Sequence, residues 1–184
     1  MPQFAVLFCI ALLVSLVITP FASRLAFAIG AVDKPSTRKV HDCYMPRLGG
    51  IAVFAGFAAA TSTLAIQNDK ILGLLLSGLI ILLLGAVDDI RGISPKVKLL
   101  GQCVAALIVI HFGVRIEIID NPFNGYFYMG YFGIPFTVLW IMAVTNAVNL
   151  IDGLDGLASG VSAIALLTFS FLAYLNSQVT VMIL

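Results

Sequence analysis

Charge is what this sequence has least of. Lys, Arg, Asp and Glu make up 10% of the 184 residues, while hydrophobic residues make up 61%, a balance that excludes a water-soluble domain with an ordinary polar surface. The formal net charge is only +1, so there is no basic field of the kind that collects nucleic acid. Cysteine is scarce too: Cys9, Cys43 and Cys103 are odd in number and form no CxxC, which argues against a disulfide framework and a zinc site. No cation precedes the first apolar run, and that run is too long for a cleaved signal peptide, so it is expected to stay as a membrane helix. Internal repeats and low-complexity segments are missing as well.

What the sequence does contain is a series of apolar runs, at 4–22, 48–66, 71–87, 99–114, 132–150 and 157–175, each close to the roughly 20 residues that cross a bilayer core. They predict an all-α polytopic membrane protein with six transmembrane helices, forming one transmembrane domain over 1–184. With the N-terminus periplasmic, Arg24, Lys34, Arg38, Lys39, Arg47, Arg91, Lys96 and Lys98 lie in the cytoplasm, and only Lys70 and Arg115 lie outside. That is the orientation the positive-inside bias favours. Asn124-Gly125 between β-prone residues predicts a small periplasmic β-hairpin before the fifth helix. Tyr126, Phe127, Tyr128 and Tyr131 around it read as an interfacial aromatic belt.

Three polar clusters interrupt the apolar pattern, all on the side assigned to the cytoplasm. The first runs from Asp33 to His41 and continues through Met45-Pro46-Arg47-Leu48-Gly49-Gly50. Lys39 and His41 are candidates for binding phosphate, and the glycine pair lets backbone approach a ligand or another helix. Taken alone, this cluster also reads as an ordinary positive-inside loop.

The second cluster is Asp88-Asp89, followed by a stretch containing Arg91, Lys96 and Lys98. Adjacent carboxylates repel each other, and the negative end of a helix dipole adds to the cost, so something cationic must compensate. A hard divalent ion liganded by carboxylate oxygen and substrate phosphate is one solution. Arg91 or Lys96 as ordinary partners is another.

The third cluster, Asn146, Asn149, Asp152 and Asp155, repeats every third residue. At about 100° per residue, steps of three drift by about 60°, so the four cannot converge from one straight helix. Gly153 and Gly156 are placed to break it, leaving Asn149 and Asp152 at the end of one helix and Asp155 either in the turn or capping the next helix. An EF-hand and a Walker loop are both excluded by spacing. His111 reads as a helix-packing or interface residue rather than a ligand, and Gly73, Gly78 and Gly85 as sites of close helix packing.

RKVHDCYMPRLGG at 38–50, DDIRGISPKVKLLGQ at 88–102 and NAVNLIDGLDGLA at 146–158 together resemble the polyprenyl-phosphate N-acetylhexosamine-1-phosphate transferases. The likeness is closest to the undecaprenyl-phosphate branch that serves polysaccharide and teichoic-acid synthesis. The resemblance implies transfer of a sugar 1-phosphate from a UDP-N-acetylhexosamine to undecaprenyl phosphate, with release of UMP, at the cytoplasmic face of the inner membrane. It also implies Mg²⁺, with Mn²⁺ as an alternative ion. It assigns catalysis to Asp88, Asp89, Asp152 and Asp155, substrate binding to Lys39, His41, Lys96, Lys98 and Asn146, and metal binding to Asp88, Asp89, Asn149 and Asp152. The lipid bilayer is the remaining partner, and homodimerisation is left open.

Members of that family resemble one another in having about ten or eleven spans. The resemblance therefore implies that these residues are the N-terminal half of a larger transferase and are not competent alone. A small ion-coupled transporter and an inactive remnant of the transferase are the competing readings; the transporter predicts polar groups near the bilayer midplane.

Overall fold

The computed structural model describes residues 2–33, 44–154, 156–176 and 178. Among them are six α-helices: α1 (Pro2–Ile29), α2 (Gly49–Ala65), α3 (Asp69–Arg91), α4 (Pro95–His111), α5 (Gly133–Ile151) and α6 (Leu157–Leu175). Two short antiparallel pairs accompany them. β1 (Val32–Asp33) pairs with β2 (Met45–Pro46), and β3 (Ile118–Asp120) with β4 (Tyr126–Tyr128). A helix for each apolar run is what lipid demands, since only a helix or a closed barrel satisfies every backbone group without water.

The helices and the runs differ in length. α1 and α3 are longer than their apolar runs because they carry flanking polar residues into the same helix, Arg24 in one and Asp88 to Arg91 in the other. Among the described residues, four segments are long and apolar enough to cross a membrane: Gln3–Ile29, Asp69–Arg91, Gly130–Ile151 and Leu157–Leu175. α2 and α4 have 17 residues each, which at a rise of about 1.5 Å per residue is shorter than the roughly 30 Å hydrocarbon core. The fourth run was expected to reach Val114. Instead α4 stops at His111, where Phe112 caps it and Gly113 turns to a positive φ of 84°.

The chain divides into two compact units, residues 64–146 and the remainder, each described by itself. In the 64–146 unit, α3 and α4 pack against each other as an antiparallel pair. A Cβ added at Gly101 would lie 2.8 Å from Leu84 Cδ1, and one added at Gly73 would run into Phe112. As the position on α3 falls, the position on α4 rises by the same number of residues, which is the signature of antiparallel neighbours. Gly73 thus serves the close packing expected of it, whereas Gly85 faces open space. His111 is exposed at the end of α4, its ring edge-on to that of the neighbouring Phe112 at 5.5 Å.

The β3–β4 hairpin forms where Asn124-Gly125 predicted it, with Asp120 opposite Tyr126 and Gly125 at φ 78°. Thr137 fastens it to the start of α5: its hydroxyl donates to Gly133 O at 2.6 Å and accepts from the Ile116 N–H at 2.9 Å. Tyr126, Tyr128 and Tyr131 are exposed.

In the other unit, Gly56 lets α2 approach α1 so closely that an added Cβ would stand 2.5 Å from the Ala11 carbonyl oxygen and 3.2 Å from Ser15 Cβ. Most large apolar side chains of α1 and α6 are exposed, Phe8, Leu16, Leu167 and Phe169 among them, as expected of surfaces whose solvent is lipid.

The Gly101–Leu84 contact yields a reversible test. Gly101→Ala is expected to destabilise the protein by about 1–2 kcal/mol through overpacking, read as a lower melting temperature in detergent. Leu84→Ala in the same chain is expected to restore part of the loss, because the obstructing atoms are the ends of one flexible side chain.

Candidate functional site at the helix ends

The first polar cluster follows α1. Ala31 N–H bonds Ala26 O at 2.9 Å, Arg47 N–H returns to Ala31 O at 3.0 Å, and the two-residue β1–β2 ladder closes between them. Arg47 Nη2 donates to Asp33 Oδ1 at 2.8 Å. The strand pair and the ion pair hold Val32 and Asp33 beside Met45, Pro46 and Arg47. Lys39 and His41, the phosphate candidates of that loop, lie outside the described residues. Gly49 and Gly50 open α2.

The second cluster is built by the connection from α3 to α4. Gly92, at φ 64°, ends α3 by donating its N–H to Asp88 O at 2.8 Å. Ser94 then caps α4, its hydroxyl accepting from the Val97 N–H at 3.4 Å, with Pro95 as the first helical residue. This tight reversal returns the first turn of α4 alongside the last turn of α3. The Asp88 carboxylate accepts the Ile93 N–H at 3.0 Å through one oxygen and the Lys98 ammonium at 2.9 Å through the other.

Both partners of this ion pair are about one quarter exposed, Asp88 at 28% and Lys98 at 23%. Among the described residues, the cation that pairs with Asp88 is therefore Lys98, rather than Arg91 or Lys96. Sequence spacing hides this, because a contact ten residues apart exists only once the turn is made. Asp89 is half-buried, and Lys96 is exposed on the first turn of α4.

The third cluster shows the expected break. α5 ends at Ile151, Asp152 stands exposed in the turn, and Gly156 opens α6 in the left-handed conformation at φ 75°. Of the two glycines expected to make the break, only Gly156 adopts a positive φ. Asn149 is exposed in the last turn of α5, and Asp155 lies outside the described residues.

Asn146, a candidate for substrate binding, is engaged within the chain. Its amide nitrogen donates to Gln102 Oε1 at 2.7 Å and to Met142 O at 2.8 Å. Gln102, 1% exposed, returns a longer bond of 3.5 Å to Asn146 Oδ1. Gln102 was not among the candidate residues, although a lone amide inside an apolar span is itself a signal.

Asp88, Asp89, Asn149 and Asp152 all offer oxygen, the donor type Mg²⁺ takes, so their chemistry fits a hard divalent ion. The first two belong to one compact unit and the last two to the other. Among the described residues, no three His, Cys, Asp or Glu side chains gather as a metal cluster. No described carboxylate occupies the middle of a helix; Asp69, Asp88 and Asp89 lie near helix ends, and Asp33, Glu117, Asp120 and Asp152 lie outside helices. The described carboxylates thus keep away from helix middles, whereas the Gln102–Asn146 amide pair lies within helices, as the transporter reading also predicts of polar groups.

Residues 71–184, more than half of the chain and including the second and third clusters, match the model of glycosyl transferase family 4. The chain belongs to glycosyl transferase family 4. It is 42% identical to a probable undecaprenyl-phosphate N-acetylglucosaminyl 1-phosphate transferase of Bacillus subtilis (strain 168), over 99% of this chain and 51% of that protein. It is 33% identical to an undecaprenyl-phosphate alpha-N-acetylglucosaminyl 1-phosphate transferase of Yersinia pestis, over 86% of this chain and 44% of the relative. A decaprenyl-phosphate N-acetylglucosaminephosphotransferase of Mycobacterium tuberculosis (strain ATCC 25618 / H37Rv) is 31% identical over the same shares. The chain spans about half the length of the curated relatives it matches. No solved structure matches it.

The Asp88–Lys98 pair makes a direct prediction. Lys98→Met removes the cation from a part-buried carboxylate at a helix C-terminus and is expected to cost about 1–3 kcal/mol of stability. Lys98→Arg is expected to keep most of it. An unchanged melting temperature for Lys98→Met would show that the pair contributes nothing.

Proposed function

We propose that this chain forms part of an enzyme that transfers N-acetylhexosamine 1-phosphate from a UDP-sugar to undecaprenyl phosphate, for envelope polysaccharide synthesis. The observation that carries this reading is the family match over the second and third clusters, together with the 42% identity to a relative bearing that activity in its name. An oxygen of the lipid phosphate forms a bond to the sugar-bearing phosphorus. The bond from that phosphorus to the bridging oxygen breaks, and UMP leaves with the electron pair. Little covalent chemistry falls to the protein in such a transfer; its task is positioning and charge stabilisation.

In this proposal the membrane is the cytoplasmic one. All six helices span it, the N-terminus is periplasmic, and the three clusters share the cytoplasmic side. Asp88, Asp89, Asn149 and Asp152 would hold a divalent ion, Mg²⁺ or Mn²⁺, which when bound offsets repulsion between the two anionic reactants. Asp155 belongs to the same set. Lys39, His41 and Lys96 serve phosphate contacts, and Lys98 holds the Asp88 carboxylate in place until substrate arrives.

Transfer measured on the full natural length of the protein in lipid vesicles tests the proposal. Asp88→Asn and Asp152→Asn are each expected to lower turnover by about a hundredfold or more, and EDTA is expected to stop it until divalent ion is restored. Near-normal turnover in either variant would remove that residue from the mechanism.

A further inference from the structure

Burying an amide side chain inside an apolar helix is costly unless its donors and acceptors are met. Gln102, 1% exposed, meets them by pairing with Asn146, on α5 and 44 residues along the chain. Asn146 in turn holds the Met142 carbonyl one turn back on its own helix. The two bonds to Asn146 Nδ2 are short, 2.7 and 2.8 Å, so this amide is committed on both sides. A helix bound at one polar point to a neighbour is fixed in rotation about its axis as well as in height. α5 runs on from Asn146 through Asn149 to its end at Ile151. The direction in which Asn149 leaves the helix is therefore set by the same constraint.

Resting on the transferase reading, we propose that Gln102 is a positioning residue. Through its amide pair with Asn146 it sets the rotation of α5 and hence the aim of Asn149 and of the turn that follows. Asn146 acts in this pair rather than on substrate. Sub-ångström placement of charge-stabilising groups is what a phosphoryl transfer depends on, and misplacement by about 1 Å costs up to about a hundredfold in rate. A purely adhesive pair would instead change only how much folded protein survives.

The test uses Gln102→Met, which keeps the shape and loses both hydrogen bonds, in the full-length protein reconstituted in vesicles. Per folded molecule, kcat is expected to fall by about ten- to a hundredfold with KM for the UDP-sugar within about threefold. Asn146→Leu is expected to give a similar fall, and the double variant no further one. Gln102→Glu, which keeps an acceptor for Asn146, is expected to recover part of the rate and covers the case in which Gln102→Met does not fold. A kcat within about twofold of the parent's for Gln102→Met, or single losses that multiply in the double variant, would overturn the proposal.

A second readout is independent of activity. With Cys9, Cys43 and Cys103 replaced by alanine, the maleimide labelling rate of Asn149→Cys is expected to change by about threefold or more when Gln102→Met is added. An unchanged rate would overturn the positioning role. If the parent protein transfers no sugar phosphate, the transferase reading fails by itself, and the labelling result still decides whether Gln102 sets the geometry of α5.

Discussion

Polar groups in a lipid-facing chain have only other parts of the protein to satisfy them, and the arrangement of this molecule follows from that constraint. With charged residues at 10% of the sequence, each costly group is placed where partners are available. Among the described residues, carboxylates sit near helix ends or outside helices, where terminal N–H groups, caps and facing cations can reach them. Asp88 shows how complete this is: the helix that carries it ends on Gly92, the next begins on Ser94-Pro95, and the reversal supplies both the Ile93 N–H and the Lys98 ammonium. Gln102, a buried amide within α4, is matched by Asn146, an amide within α5.

Small residues make the close approaches that these pairings need. Gly101 against Leu84 and Gly73 against Phe112 bring α3 and α4 together within one unit, and Gly56 against Ala11 and Ser15 does the same for α1 and α2 in the other. Between membrane helices there is no hydrophobic drive to associate, because lipid is as apolar as leucine. Packing contacts and interhelical hydrogen bonds must supply the cohesion. In the 64–146 unit the Gln102–Asn146 amide pair and the Thr137 hydroxyl bridge are therefore more than decoration on an apolar core.

The proposed function draws on the same chemistry at the helix-end clusters. Phosphoryl transfer between two anionic reactants asks a protein for oxygen ligands, cations and a fixed geometry rather than for a strong nucleophile. In the proposed enzyme, that combination is assigned to oxygen donors at Asp88, Asp89, Asn149 and Asp152, with lysines close to the first pair in sequence. Lys98 shows that a basic residue in such a cluster can be occupied by structure first.

Much of the fold was legible in the residues alone. Every apolar run became a helix, Asn124-Gly125 became a hairpin, and the Asn146-to-Asp155 spacing demanded a break that falls at Asp152 to Gly156. These are local consequences of hydropathy, turn chemistry and helical periodicity, so one segment at a time is enough to derive them. Membership in glycosyl transferase family 4 is likewise carried by order and spacing along the chain. The tertiary structure decided what depends on pairs distant in sequence. It chose Lys98 over Arg91 or Lys96 for Asp88, turned Asn146 toward Gln102, and ended α4 at His111 rather than Val114. A single sequence states which groups need partners; the path of the chain in space determines which partner each one meets.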